Sequence, residues 1–211
     1  MNQAIKLPIW IYKLHDHSSR PGGKILIESN GNIKPGMIRL GFLGGRFYPD
    51  CGIEWTNNGL VIFKGSCRIG NNSSVVVGPQ GEMTIGEDFI NSCALRLVCF
   101  NRIKIGDEVT IGFDSLLIDT DFHPIYDRSK KAFNKGYGPI IIGNNNWISS
   151  QCTILHNVQT PEKCIIGIRS LVTRNIRLEP SCLYGGNPLT CLKRNVELQR
   201  SKYMISDYSN E

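Results

Sequence analysis

Two carboxylates and an imidazole alternate in Asp119-Thr120-Asp121-Phe122-His123-Pro124-Ile125. In an extended segment residues i, i+2 and i+4 share a face, which would gather Asp119, Asp121 and His123. Histidine changes charge near neutrality, and a neighbouring carboxylate holds its tautomer and tunes its basicity. Pro124 fixes its own φ and keeps His123 extended, so the His-Pro pair makes a defined exit from whatever precedes it. The set suits general-base chemistry, with Asp121 orienting the ring and Asp119 binding a reaction partner. Asp-x-Asp-x-His is also a metal-triad pattern. Either aspartate could equally be a corner residue of regular structure, and a loop histidine can simply be hydrogen-bonded.

The elements that must position this set repeat with a short period. Ile69-Gly70-Asn71-Asn72, Ile85-Gly86-Glu87-Asp88, Ile105-Gly106-Asp107-Glu108 and Ile142-Gly143-Asn144-Asn145 are one phrase: an aliphatic residue, glycine, then two polar residues. Counting in sixes from Ile142 gives Ile148, Ile154, Thr160, Ile166 and Val172. The fifth places hold Asn146, Cys152, Val158, Cys164, Ser170 and Ile176, mostly small. A helix repeats at 3.6 and a free strand at 2, so neither makes a period of six. A coil of short strands joined by turns does, and stacked coils bury a continuous aliphatic column. Asn, Asp and Gly at the corners tolerate the turn conformations.

The expected layout is an irregular or short-strand segment over residues 1–60 that packs on the repeats, a repeat domain over 61–190, and a C-terminal helix and tail over 191–211. Cys191 to Met204 carries the Leu, Lys, Arg, Glu and Gln of a short helix. The repeats break over 123–139, where a charged and aromatic loop intervenes. A loop of that length inside a repeat array is usually functional.

Composition narrows the partners. The formal net charge of +6 is modest and spread along the chain, so no dense basic stripe with aromatic platforms marks a nucleic-acid surface. It would suit a phosphate-bearing small ligand. The eight cysteines include no Cys-x-x-Cys and follow no secretory signal; they read as reduced, buried small side chains of a cytoplasmic protein. The longest apolar run near the N-terminus, Leu7 to Tyr12, is too short to span a bilayer.

The order of motifs is more specific than any one of them. Hexads, His-Pro, a projecting loop, Ile-Gly-Asn-Asn-Asn-Trp-Ile, Ile-Ile-Gly-x-x-Ser-Leu-Val-Thr-Arg-Asn-Ile and Gly-Gly-Asn-Pro follow one another. The chain in this order resembles the hexapeptide-repeat acetyltransferases, over about residues 60 to 193. Within them it looks most like the branch holding maltose and galactoside acetyltransferases and the O-acetyltransferases of bacterial surface polysaccharides. The resemblance implies an all-β, left-handed parallel β-helix, a homotrimer with coenzyme A between subunits, acetyl-CoA as co-substrate, no metal, and a sugar or glycan acceptor. It implies that His123 takes the acceptor's hydroxyl proton. Positions matching the family's coenzyme contacts are Trp147, Ser150, Ile168, Thr173 and Arg174, with Lys193 a further candidate for the nucleotide phosphates. Ser149 stands for the usual Gly of the first phrase, Ile168 and Arg169 for the usual Ala-Gly of the second, and Arg174 for the usual Lys. Asn91, Asp127, Arg128 and Tyr137 are acceptor-side candidates beside Asp119. The alternatives are N-acetylation of an amino sugar and a non-catalytic trimeric scaffold or glycan-binding module. A zinc enzyme on the same fold needs three converging histidines, and the spacing of His15, His17, His123 and His156 does not supply them.

Overall fold

The computed structural model describes residues 6–19, 22–44 and 48–200. Its strands form a three-sided parallel helix in which each coil contributes one strand to each of three sheets. Ile9–Ile11, Leu14–Asp16 and Lys24–Ile27 make the first coil, and Ile38–Phe42, Ile53–Asn57 and Leu60–Phe63 the second. Further coils follow through Leu171–Val172, every strand lying parallel to its counterpart one coil earlier. Ile148 pairs with Ile166, three hexads further on. The period of six is thus the length of one side of the coil.

Alternation along each short strand sends one side chain in and the next out. The inward set stacks into columns, such as Val75, Leu97, Leu117, Ile154 and Val172 on the second side and Met83, Ile103, Ile140 and Val158 on the third, all buried. Six of the eight cysteines are buried among them, while Cys51 and Cys191 are exposed, and all eight are free thiols. Burial pushes the Cys164 thiol up to about 12.

The corners divide their labour differently from the sequence expectation. The left-handed conformation falls on Asp88, Glu108, Asn145, Lys163 and Ser181 at one corner and on Ala94, Asp114, Gln151 and Arg169 at another. The glycine of the Ile-Gly phrase is required for closeness instead. A Cβ on Gly86 would lie 2.3 Å from the Gly106 carbonyl oxygen in the next coil, and one on Gly106 2.8 Å from the Asn144 nitrogen.

Two boundaries also differ. The β-helix begins near residue 9, because the first strands extend the same three sheets in register: Ile9 beside Ile38, Leu14 beside Ile53, Lys24 beside Leu60. The described part of residues 1–60 therefore continues the coil rather than packing on it. The helix expected over Cys191–Met204 is instead, through Arg194, a strand Thr190–Arg194 antiparallel to Cys182–Gly185. The turn over residues 186–189 folds the chain back on itself, and ladder pairing overrides helix propensity. Residues 201–211, including the end of that expected helix, lie outside the described residues. The segment before them runs back along the coils, with Lys163 paired to Glu197 and Arg200 to Asp88.

Candidate active site

The His-Pro segment leaves the second side of the fifth coil after Leu116–Ile118, and the chain regains the third side at Ile140–Ile142. The two stems of the intervening loop are antiparallel: the Asp121 N–H donates to the Gly136 carbonyl at 2.7 Å, and Gly138 N–H to Asp119 at 3.0 Å. The tip is a hairpin, Tyr126–Asp127 against Ala132–Phe133, with the two rings edge to face at 5.1 Å. Asp127 accepts from the Ser129 hydroxyl and from the Ser129 and Lys130 backbone N–H groups, and the Ser129 bond leads in holding its carboxyl below the usual range. Its polar atoms therefore shape the turn.

The expected gathering of Asp119, Asp121 and His123 does not form. Asp119 continues the inward phase of Leu117 and is fully buried, its carboxylate accepting from Phe100 N–H at 2.7 Å and Asn101 N–H at 2.8 Å. Phe122 then adopts φ +59°, with its N–H on the Thr120 hydroxyl, and this turn breaks the extended alternation. Asp121 and His123 consequently part. No side-chain hydrogen bond or ion pair to a described residue engages the exposed His123 imidazole. The Asp121 carboxylate pairs with His156 Nε2 at 3.1 Å. The metal-triad pattern fails for the same reason, since Asp119 faces the core.

Asn91 also has a different position from that expected. It is fully buried and its amide donates to the Ile111 carbonyl at 3.0 Å while its oxygen accepts from Gly70 N–H, so it ties three coils together. Arg128 and Tyr137 are exposed on the loop, with the Lys135 ammonium 4.5 Å from the Tyr137 ring centroid.

A cleft of about 260 Å³ opens beneath the loop, lined by Asp121, Gly136, His156, Thr173 and Arg174 among others. It lies where strands Thr153–Leu155 and Leu171–Val172 of the second side end. Thr173 and Arg174 thus stand beside the loop that bears His123. Trp147, Ser150 and Ile168 sit elsewhere. Trp147 lies in the first side between Thr110 and Ile165, and Ser150 and Ile168 follow at the corner that begins the second side. Ile168 points to solvent, 58% exposed. Lys193 is exposed on the terminal strand. Within one chain the candidate residues therefore form two groups at opposite ends of the second-side strands. From the sequence His156 was weighed only against a zinc site and given no place beside His123; its side chain is 13% exposed.

No family model matches the chain. Over 127 residues it is 30% identical to galactoside O-acetyltransferase of Escherichia coli K12, covering 60% of this chain and 61% of that protein. It is 28% identical to a chloramphenicol acetyltransferase of Klebsiella aerogenes over 181 residues, 82% of this chain and 73% of the relative. A polysialic acid O-acetyltransferase of Escherichia coli O1:K1 is 32% identical over 148 residues, 68% of this chain and 45% of its own length. The chain thus spans between about half and three quarters of these relatives. Among solved structures, the polySia-specific acetyltransferase NeuO superposes with a TM-score of 0.58 at 20% identity, covering 92% of this chain and 94% of that one. A hexapeptide-repeat-containing acetyltransferase from Vibrio cholerae does so at 0.51 and 20%, covering 62% and 71%. At such identities the likeness establishes the fold, a left-handed β-helix.

Proposed function

We propose that this chain, whose relatives and fold are those of the hexapeptide-repeat acetyltransferases, moves an acetyl group from acetyl-CoA to a hydroxyl of a sugar or surface glycan. The observation that carries the reading is the unengaged, exposed imidazole of His123 on a structured loop whose stems, at Asp121 and Gly136, line a cleft together with Thr173 and Arg174. His123 takes the proton of the acceptor hydroxyl as its oxygen attacks the thioester carbonyl. The tetrahedral adduct expels the thiolate, which recovers the proton from the imidazolium, so free coenzyme A and the acetyl ester leave together. General-base assistance of this kind is worth ~10²–10⁴-fold, with the remainder from positioning.

The division of Trp147, Ser150 and Ile168 from His123, Thr173 and Arg174 supports a site built between copies. One subunit would offer the first group and its neighbour the second, as a homotrimer does at each of its three boundaries. Arg174 and Lys193 are assigned to the phosphates of the co-substrate, Arg174 with a guanidinium fork suited to them. Arg128 and Tyr137, at the loop surface, face the acceptor. Asp127 acts through the hairpin it shapes, and Asp121 through the contact it makes with His156. We place the reaction in the cytoplasm, where acetyl-CoA is made available to glycan biosynthesis.

The test is calorimetric titration of acetyl-CoA into the parent and His123→Ala. Both should bind, and only the parent should transfer acetyl or slowly hydrolyse the thioester. Absence of binding at millimolar acetyl-CoA, weaker than about −4 kcal/mol, would overturn the reading.

A further inference from the structure

We propose that His156 is a positioning residue for this reaction: the Asn157–His156–Asp121 hydrogen-bond chain latches the loop that carries His123. The proposal rests on the reading of His123 as the base. The Asn157 amide nitrogen lies 2.7 Å from His156 Nδ1, and His156 Nε2 lies 3.1 Å from Asp121 Oδ2. An amide N–H donating to Nδ1 leaves the ring proton on Nε2, where it donates to the carboxylate. Both ring nitrogens are then occupied, so His156 is a holder rather than a proton acceptor.

The latch joins two coils. Asp121 leaves the fifth coil, whereas His156 and Asn157 form the corner of the next, and the Asp121–His156 hydrogen bond spans 35 residues of sequence. The neighbouring Asn157 meets the returning stem as well: a Cβ on Gly138 would lie 2.0 Å from Asn157 Oδ1. Two adjacent residues therefore bear on both stems. Little else anchors the loop. Phe122, Ile125, Tyr126 and Phe133 are exposed, and the described aromatic contact back to the coils is Phe122 on Phe100. A segment with so few buried apolar contacts opens easily unless polar ties hold it.

The tie reaches the base through a short path. His123 N–H donates to the Asp121 carbonyl at 2.7 Å, and the intervening Phe122 is itself pinned by Thr120. Where Asp121 is held, His123 has little room to wander. Releasing Asp121 frees the imidazole to leave its reactive position, and small misplacements of a catalytic group are costly in rate.

The experiment compares His156→Ala and His156→Gln with the parent in two assays. The first is trypsin cleavage under native conditions at Arg128, Lys130 and Lys131, all exposed. The second is release of free coenzyme A from acetyl-CoA with p-nitrophenyl galactoside as acceptor. His156→Ala should be cut at least ~10-fold faster in the loop while the coils melt as in the parent. Its kcat should fall at least ~10-fold with the KM for acetyl-CoA within about twofold. His156→Gln, whose amide can still donate to Asp121, should recover most of both. Parent-like cleavage and kcat in His156→Ala would overturn the latch. A raised KM with unchanged kcat would also do so, because His156 would then be touching the co-substrate. A parent that neither binds millimolar acetyl-CoA nor releases coenzyme A from it, alongside a loop that opens in His156→Ala, would sink the acetyl-transfer reading and leave the latch standing.

Discussion

Asp119→Ala should act on stability and leave acceptor affinity alone. The Asp119 carboxylate is fully buried and receives two short backbone bonds, 2.7 Å from Phe100 and 2.8 Å from Asn101. Hydrogen bonds to a charged group contribute about 1.5–3 kcal/mol each, so the pair is worth about 3–6 kcal/mol. Phe100 is 37% exposed, so water can replace part of what is lost. The expected cost of Asp119→Ala is therefore near the lower bound, about 3 kcal/mol. Asp119→Asn retains one acceptor oxygen but turns an N–H donor toward the other backbone donor, and should recover less than half. The assay is denaturant unfolding at one fixed protein concentration, since the homotrimer proposed above would have a concentration-dependent midpoint. An Ala variant within ~0.5 kcal/mol of the parent, combined with a raised acceptor KM, would refute the structural assignment and return Asp119 to the acceptor site.

Gly86→Ala should destabilise strongly, by ~3 kcal/mol or more, because its Cβ would meet the Gly106 carbonyl and cannot be relieved by rotating a side chain; thermal melting reads this, and a loss under 1 °C would count against close coil contact. Thiol titration of the native protein at pH 8 should give two accessible thiols, Cys51 and Cys191, with the buried six reacting only after denaturation. Cys191 should react more slowly than a free cysteine under the same conditions, since desolvation raises its pKa and lowers its thiolate fraction, and an equal rate would contradict that environment. Arg174→Ala should raise the KM for acetyl-CoA ~10-fold while leaving kcat near the parent value, and a fall in kcat alone would take Arg174 away from the phosphates.

The C-terminus shows where local sequence misleads. Leu192, Lys193 and Arg194 favour a helix, yet they form a strand because the turn before them returns the chain alongside Cys182–Gly185. The N-terminal coils escaped notice for a related reason. Their strands are separated by the segments 28–37 and 43–52, and they lack the Ile-Gly phrase that marks later corners. Only pairing with the second coil, Ile9 with Ile38 and Lys24 with Leu60, gives them their place.

The sequence by itself determined the coil and its interior. A period of six has few physical realisations, so Ile142, Ile148, Ile154, Ile166 and Val172 had to point inward. The same phase led to buried cysteines at the fifth places and a projecting loop where the hexads stop. It also singled out His123, because an interruption in a repeat array exposes what it carries. Tertiary structure alone decided the neighbours of that histidine. The alternation Asp119, Asp121, His123 supposed one extended segment, but a left-handed Phe122 turned the chain and the inward phase of the fifth coil claimed Asp119. Asp121 found His156 because successive coils stack side by side, bringing together residues 35 apart in the chain. Local periodicity fixes which way a side chain faces; contact between coils fixes which partner it meets.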